Sequence, residues 1–306
     1  MQYLNLEDIN ESCRRDPAEF VASCEQSYTN VIENVAERIC AGCEERMILL
    51  LTGPSSSGKT TTAHRIRDAA QRKGIRTHSI SMDDYYLSRN TYSVPKDEDG
   101  ADDLESPLCM DLPLLSEHLA ALCEGKTIEV PKYDFMTHRR TEEREEVRLG
   151  KGEIAVIEGI HALNDVITGK IKEHAIGVYM AVGTEVVLSN DWRLAPHELR
   201  FVRRAIRDRN FRDAPISDTI RMWRSVRRGE RLYIRPYIPS ASYILNTYLP
   251  YEDCILMNQL RQEAEPYHQD MIDAGLEPLV RALDRFEPLE NLELIPPQSI
   301  MHEFIG

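Results

Sequence analysis

A chain of 306 residues with 42% hydrophobic and 29% charged residues can bury a full core and reads as an ordinary soluble protein of one large or two small domains. Its formal net charge of −14 argues against a nucleic-acid partner for the surface as a whole. No apolar run approaches the roughly 18 residues of a membrane span, and the start MQYLNLEDINESC resembles no signal peptide, so a cytoplasmic protein with no membrane partner is expected.

Residues 18–46 carry apolar positions at helical spacing (Phe20, Val21, Val31, Ile32, Val35, Ile39), which predicts an N-terminal helical segment over 1–46 ahead of a main domain at 47–306. The seven cysteines are odd in number and scattered, which fits reduced thiols, and the one CxxC, Cys40 to Cys43, lacks the further ligands of a zinc site. The short apolar run 47–51 predicts a central strand, and 58–72 a helix that stops at Gly74. A strand over 76–81 follows, then an acid-rich excursion through Gly100. Asp111 is placed to cap a helix with Leu112, Leu115, Leu119 and Leu122 on one face. Two more apolar runs, 153–157 and 175–182, complete an alternation of strands and helices, the signature of a layered α/β fold with a mostly parallel sheet. Residues 200–235 hold twelve arginines against four acids, 12 − 4 = +8, and the tail around Pro296 and Pro297 reads as extended chain packed on the domain.

Gly53-Pro54-Ser55-Ser56-Ser57-Gly58-Lys59-Thr60 fits G-x-x-x-x-G-K-[ST] between a predicted strand and a predicted helix. Glycines let the backbone curl so that N–H groups of Ser55, Ser56, Ser57, Gly58 and Thr61 and the helix N-terminus face phosphate. Lys59 is expected to reach the β- and γ-phosphates, and the Thr60 hydroxyl to ligate Mg²⁺. The strand 154–157 ends at Glu158, a carboxylate in the position from which a rigid strand delivers an acid to the metal. Asp83 and Asp84 follow the second strand, where ligands gather in an open α/β sheet; either serves as a base for an attacking hydroxyl or opens an Asx turn.

Six blocks in order, GPSSSGKTT, SMDDYY, LESPLCMDL, IEVPKYDFMTHRR, IAVIEGIHA and RRAIRDRNFR, make residues 47–260 resemble the uridine/cytidine kinase family of P-loop kinases. The resemblance implies a three-layer P-loop NTPase fold with an arginine-rich helical lid at about 190–236 and a C-terminal helix and tail. It implies ATP as co-substrate, Mg²⁺ as cofactor, and phosphorylation of a nucleoside 5′-hydroxyl, uridine or cytidine. By position it makes Asp83 the general base and a Mg²⁺ neighbour, and Glu105 a ribose ligand where the family commonly has aspartate. Tyr133, Phe135 and His138 fall in the base-binding block, with Arg140 beside them. Arg204 matches the lid residue that reaches the acceptor, Arg207 the one that reaches the transferring phosphoryl, and Arg212 a third lid position on the nucleotide. The stretch SVRRGERLYIRPY is longer than the animal-type lid and resembles a bacterial branch of uridine-kinase-like proteins.

Two other readings share the P-loop. Another small alcohol, a sugar phosphate or a pantothenate-like precursor, uses the same loop and aspartate; KYDFMTH argues for a base-bearing acceptor. A nucleotide switch or nucleic-acid motor has no N-K-x-D motif here and meets an acidic surface. A homo-oligomer is compatible with this sequence.

Overall fold

The structure of the protein, a computed structural model, describes residues 1–42 and 47–306, so Cys43 of the CxxC pair lies outside the described residues. The chain opens with strand β1 (Gln2–Asn5) and helix α1 (Leu6–Arg15), which Asn5 caps by accepting the Glu7 N–H. Helix α2 (Pro17–Gly42) starts with proline at its first position, where the missing N–H costs nothing. The helical periodicity over 18–46 therefore has its counterpart in α2, but the extension is not helical throughout. Strand β1 pairs in parallel with a strand some 180 positions away, and its mostly exposed residues leave no apolar alternation to read. Val21, Tyr28, Ile32, Val35 and Ile39 of α2 enter the same apolar core as Leu49 and Leu51.

Strand β2 (Ile48–Thr52) is buried at every residue, and the glycine-rich turn leads from it into α3 (Lys59–Arg72). Strand β3 (Thr77–Ser81) is followed by the acid-rich excursion and by α4 (Leu112–Cys123), capped by Asp111 accepting the Leu114 N–H at 3.2 Å. Strands β4 (Ile128–Asp134) and β5 (Arg139–Val147) form an antiparallel hairpin. Most of β5, RRTEEREEV, is exposed, so nothing in its hydrophobicity marks it as a strand. Then come β6 (Ile154–Glu158), the single turn α5 (Asp165–Thr168), β7 (Ala175–Ala181), β8 (Thr184–Val187) and β9 (Arg193–Leu194). Helices α6 (Pro196–Arg212) and α7 (Ile216–Gly229), strand β10 (Tyr243–Asn246) and helix α8 (Glu252–Ala264) complete the main framework.

The central sheet has five parallel strands in the order β10-β7-β2-β6-β3, so the strand feeding the glycine-rich loop lies in the middle, with β6 beside it. Side-chain alternation sends Leu49, Leu51, Ile154 and Val156 to one face, under α2, α3, α6 and α8, and Ile48, Leu50, Ala155 and Ile157 to the other, under α4 and the hairpin. This is the three-layer α/β arrangement expected from the sequence. Helix α6 is no loose flap: Leu199, Phe201, Val202 and Ile206 are fully buried, and Phe201 meets the buried Trp223 of α7 edge to face at 5.4 Å. Residues 299–304 dock on the same core through Ile300, Met301 and Phe304. Among the described residues no helix is long and apolar enough to cross a membrane.

Candidate active site

The loop after β2 is shaped by positions that tolerate no side chain. A Cβ on Gly53 would stand 2.0 Å from the Met180 carbonyl oxygen. Gly58 has φ 78° and would drive a Cβ to 1.9 Å from Ile300 Cδ1, and Ser56 is itself left-handed at φ 59°. Among the described residues the buried Ser56 and Ser57 hydroxyls have no hydrogen-bond partner, as groups shaped to meet an anion would.

Three arginines of α6 brace this loop. Arg200 donates to the Ser55 carbonyl (3.1 Å), Arg203 to the Ser56 carbonyl (3.4 Å) and Arg204 to Ser55 Oγ (2.8 Å). Arg203 is fully buried, forks onto Glu252 at 2.7 and 2.6 Å, and lies over the Phe304 ring. One carboxylate, Asp208, gathers Arg204, Arg207 and Arg212 at 3.2, 2.8 and 3.3 Å.

Below these guanidinium groups is a cavity of about 190 Å³ lined by Lys59, Thr60, Asp83, Glu158, Arg207 and Arg212, together with Ser55, Ser56 and Glu303. Lys59 Nζ donates to the Pro54 carbonyl at 3.0 Å, and Thr60 Oγ1 to Glu158 Oε2 at 3.3 Å. Burial pulls the Lys59 ammonium below its ordinary pKa, opposed by Glu303, Glu158 and Asp83 in that order. Asp83 opens onto the cavity although protein surrounds it. Desolvation pushes its carboxyl above the usual carboxylate range, Lys59 opposes this, and Asp84 adds to it. Glu158 is raised for the same first reason, with Lys59 opposing and Asp83 reinforcing.

Asp84 has a different task from Asp83. It accepts the Tyr133 backbone N–H (3.1 Å) and faces Lys132 Nζ (3.4 Å), pinning the β4–β5 hairpin to the segment after β3. Tyr133 and Phe135 meet at 5.0 Å between ring centroids, and Tyr86 joins them at 5.8 and 6.2 Å. Burial raises the Tyr86 hydroxyl well above its ordinary pKa, and Asp83 and Glu105 stand near enough to add to the rise, so Tyr86 links the ring group to the side of the cleft that carries both carboxylates. Arg140 turns away from this cleft, spending its guanidinium on Asp111 (2.9 Å) and the Tyr85 and Tyr86 carbonyls. His138 sits at the hairpin turn with φ 55°, its carbonyl accepting the Arg89 N–H, beside Asp134 rather than within the ring group.

Glu105 is half-buried, and desolvation raises its carboxyl against the pull of Arg204 and Lys59. Gly229 backs it: a Cβ there would lie 2.4 Å from Glu105 Cβ. The neighbouring Asp103, 2% exposed, accepts from Arg228 (2.8 Å) and the Tyr233 hydroxyl (2.7 Å), clasping α7 and the turn beyond it to this segment. Behind Glu105 the buried His161 ring lies edge-on to Tyr233 at 6.1 Å, and burial lowers its pKa to about 4, so it is neutral at pH 7.

A glycine-rich turn on the middle strand, with a carboxylate on the adjacent strand and arginines overhead, falls within the span that a family profile matches. The Phosphoribulokinase / Uridine kinase family matches residues 48–252. The chain belongs to this family. Relatives named uridine kinase include one from Alkaliphilus metalliredigens, 29% identical over 64% of this chain and 84% of its own length, and one from Clostridium botulinum strain Langeland, 30% identical over 63% and 84%. A solved structure described as a possible uridine kinase from Bacillus stearothermophilus superposes with TM-score 0.47 at 19% identity, covering 70% of this chain and 96% of that one. As a member of the family, the protein is a kinase that uses ATP as co-substrate.

Within this kinase site, several participants were not singled out from the sequence. Asp208 was detectable in principle, because Arg204 and Arg212 flank it at four-residue spacing on one helix face. Tyr86 lies inside the SMDDYY block, yet nothing in its spacing distinguishes it from a core tyrosine. Arg200, Arg203 and Glu303 meet the loop only through the fold.

Proposed function

We propose that this kinase transfers the γ-phosphoryl of Mg·ATP to the 5′-hydroxyl of a pyrimidine nucleoside, uridine or cytidine. The observation that carries the reading is the three-ring group of Tyr86, Tyr133 and Phe135, whose Tyr86 lies within electrostatic reach of Asp83 and Glu105, since a flat ring to be stacked near hydroxyls to be hydrogen-bonded is the chemistry of a nucleoside. Glu105 would accept hydroxyls of the sugar. Asp83, its pKa raised toward that of a working base, would take the 5′-hydroxyl proton as the oxygen attacks in line. Lys59, Arg207 and Arg212 would hold the phosphoryl oxygens, with Asp208 keeping the two guanidinium groups aimed. Thr60 Oγ1 and Glu158, with Asp83 nearby, supply the hard oxygen donors that suit Mg²⁺ bound jointly with substrate phosphates. Bound there, the ion would neutralise phosphate charge.

The deciding experiment pairs a substrate panel with one variant. Uridine and cytidine should be phosphorylated in preference to pentose phosphates and pantothenate, and Asp83→Asn should lose turnover by at least roughly a thousandfold while ADP still binds. Turnover confined to a non-nucleoside alcohol would reject the acceptor, and near-normal activity of Asp83→Asn would remove the base.

A further inference from the structure

The phosphoryl-transfer reading uses Arg207 and Arg212, with Arg204 bracing the loop through Ser55, and leaves the second half of the arginine run without a role. Arg221, Arg224 and Arg228 repeat at three- and four-residue spacing on α7, and a π-helical turn, Glu230–Ile234, carries the chain on to Arg231 and Arg235. These five and Arg227 line one open cavity of about 600 Å³. It shares no residue with the cavity at Lys59 and Asp83.

The pairing inside this cavity is incomplete. Arg228 is held by Asp103 and Glu98, and Arg235 by Glu230, which also pairs with the buried Arg200. Among the described residues Arg221 has only Asp218 of its own helix. Arg224 reaches Asp99 at 3.9 Å with the two side chains 92% and 75% exposed, a contact that water screens almost fully. Arg227 and Arg231 form no salt bridge among the described residues. The opposing acids Asp97, Glu98 and Asp99 come from one surface loop, while Asp273 and Glu230 complete the rim. Exposed guanidinium groups crowded on one helix face repel one another, and a solvated acidic loop is a weak counter-anion for them. Phosphate oxygens, taken bidentately by guanidinium forks, are a much stronger one.

We infer that this cavity is a second anion site that takes a short polyphosphate chain, free or as the tail of a nucleotide, in place of the loop 97–99. The volume suits one small molecule, and the net charge of −14 around it disfavours a long polyanion.

Titration calorimetry with inorganic tripolyphosphate on the full chain tests this. Wild type should show two sites. Lys59→Ala, which disables the phosphate loop, should keep one of them, and that one should weaken as salt rises from about 50 to about 300 mM. The exposed triple variant Arg224→Ala/Arg227→Ala/Arg231→Ala should lose it, by roughly tenfold or more in affinity, while the loop site remains. In Lys59→Ala, displacement of tripolyphosphate by ATP identifies a nucleotide tail as the source, and failure of ATP to displace it identifies free polyphosphate; either supports the site. Absence of binding to Lys59→Ala, an unchanged triple variant, or single-stranded RNA binding tighter than tripolyphosphate would overturn the inference.

Discussion

The carboxylate of Glu303 accepts the hydroxyl of Thr61 at 3.2 Å and its backbone N–H at 3.5 Å. Thr61 belongs to the first turn of α3, where exposed N–H groups and the helix dipole favour an anion, and Glu303 is also the carboxylate that acts most strongly on Lys59. An internal anion thus stands where the proposed reading seats nucleotide phosphate. Glu303→Gln should tighten ADP binding by roughly tenfold, the equivalent of about 1.4 kcal/mol of relieved like-charge repulsion. Calorimetry without metal checks this, and weaker binding would assign Glu303 to holding the nucleotide instead.

Gly229→Ala places a methyl group where Glu105 Cβ already lies. The substitution suits the helix itself, so its cost falls on the carboxylate. The acceptor KM should rise by at least about tenfold while the KM for ATP stays near its original value. Equal changes in both would mean that Glu105 does not face the acceptor.

Arg203 and Glu252 form an ion pair with both side chains at 0% exposure. Removing one partner strands a buried charge, at a cost of about 3–5 kcal/mol. Glu252→Gln should therefore lower the urea midpoint sharply and weaken ADP binding, because Arg203 also holds the Ser56 carbonyl. The double variant Arg203→Met/Glu252→Leu should recover stability but not nucleotide affinity.

Glu198, which closes the N-terminus of α6 by accepting the Ala195 N–H, has its pKa raised to about 7, by burial first. A carboxyl whose folded pKa lies above its unfolded value binds more protons in the native state, so its contribution is full below about pH 4.5 and is lost as pH rises through about 7. The loss amounts to at most roughly 3 kcal/mol. Glu198→Gln should flatten the fall in thermal midpoint between about pH 5 and pH 8.

Strands β2, β3, β6 and β7 of the central sheet and the glycine-rich loop were legible because their signals are local: for β2, β6 and β7 an apolar run, and for the loop glycines, lysine and threonine at fixed spacing. The fifth strand, β10, was not read from the sequence. Asp83 and Glu158 followed from their places at strand ends, and Tyr133 and Phe135 from the family resemblance. The hairpin escaped detection because β5 is a charged surface strand, and β1 because its partner is β8. Arg203 reads as one more arginine in a basic run until the fold brings up Glu252, 49 positions away. The role expected for Arg140 in the cleft is replaced by an internal one, since Asp111 and two carbonyls take its donors.

Ile300 fills the space beside Gly58, and 242 positions separate Thr61 from Glu303. Contacts so far apart in the chain close slowly, after local strands and helices have formed. The phosphate loop should therefore be finished late in folding. During refolding, recovery of ADP binding should lag the return of far-ultraviolet dichroism, and simultaneous recovery would show that the loop takes its shape without waiting for residues 299–304.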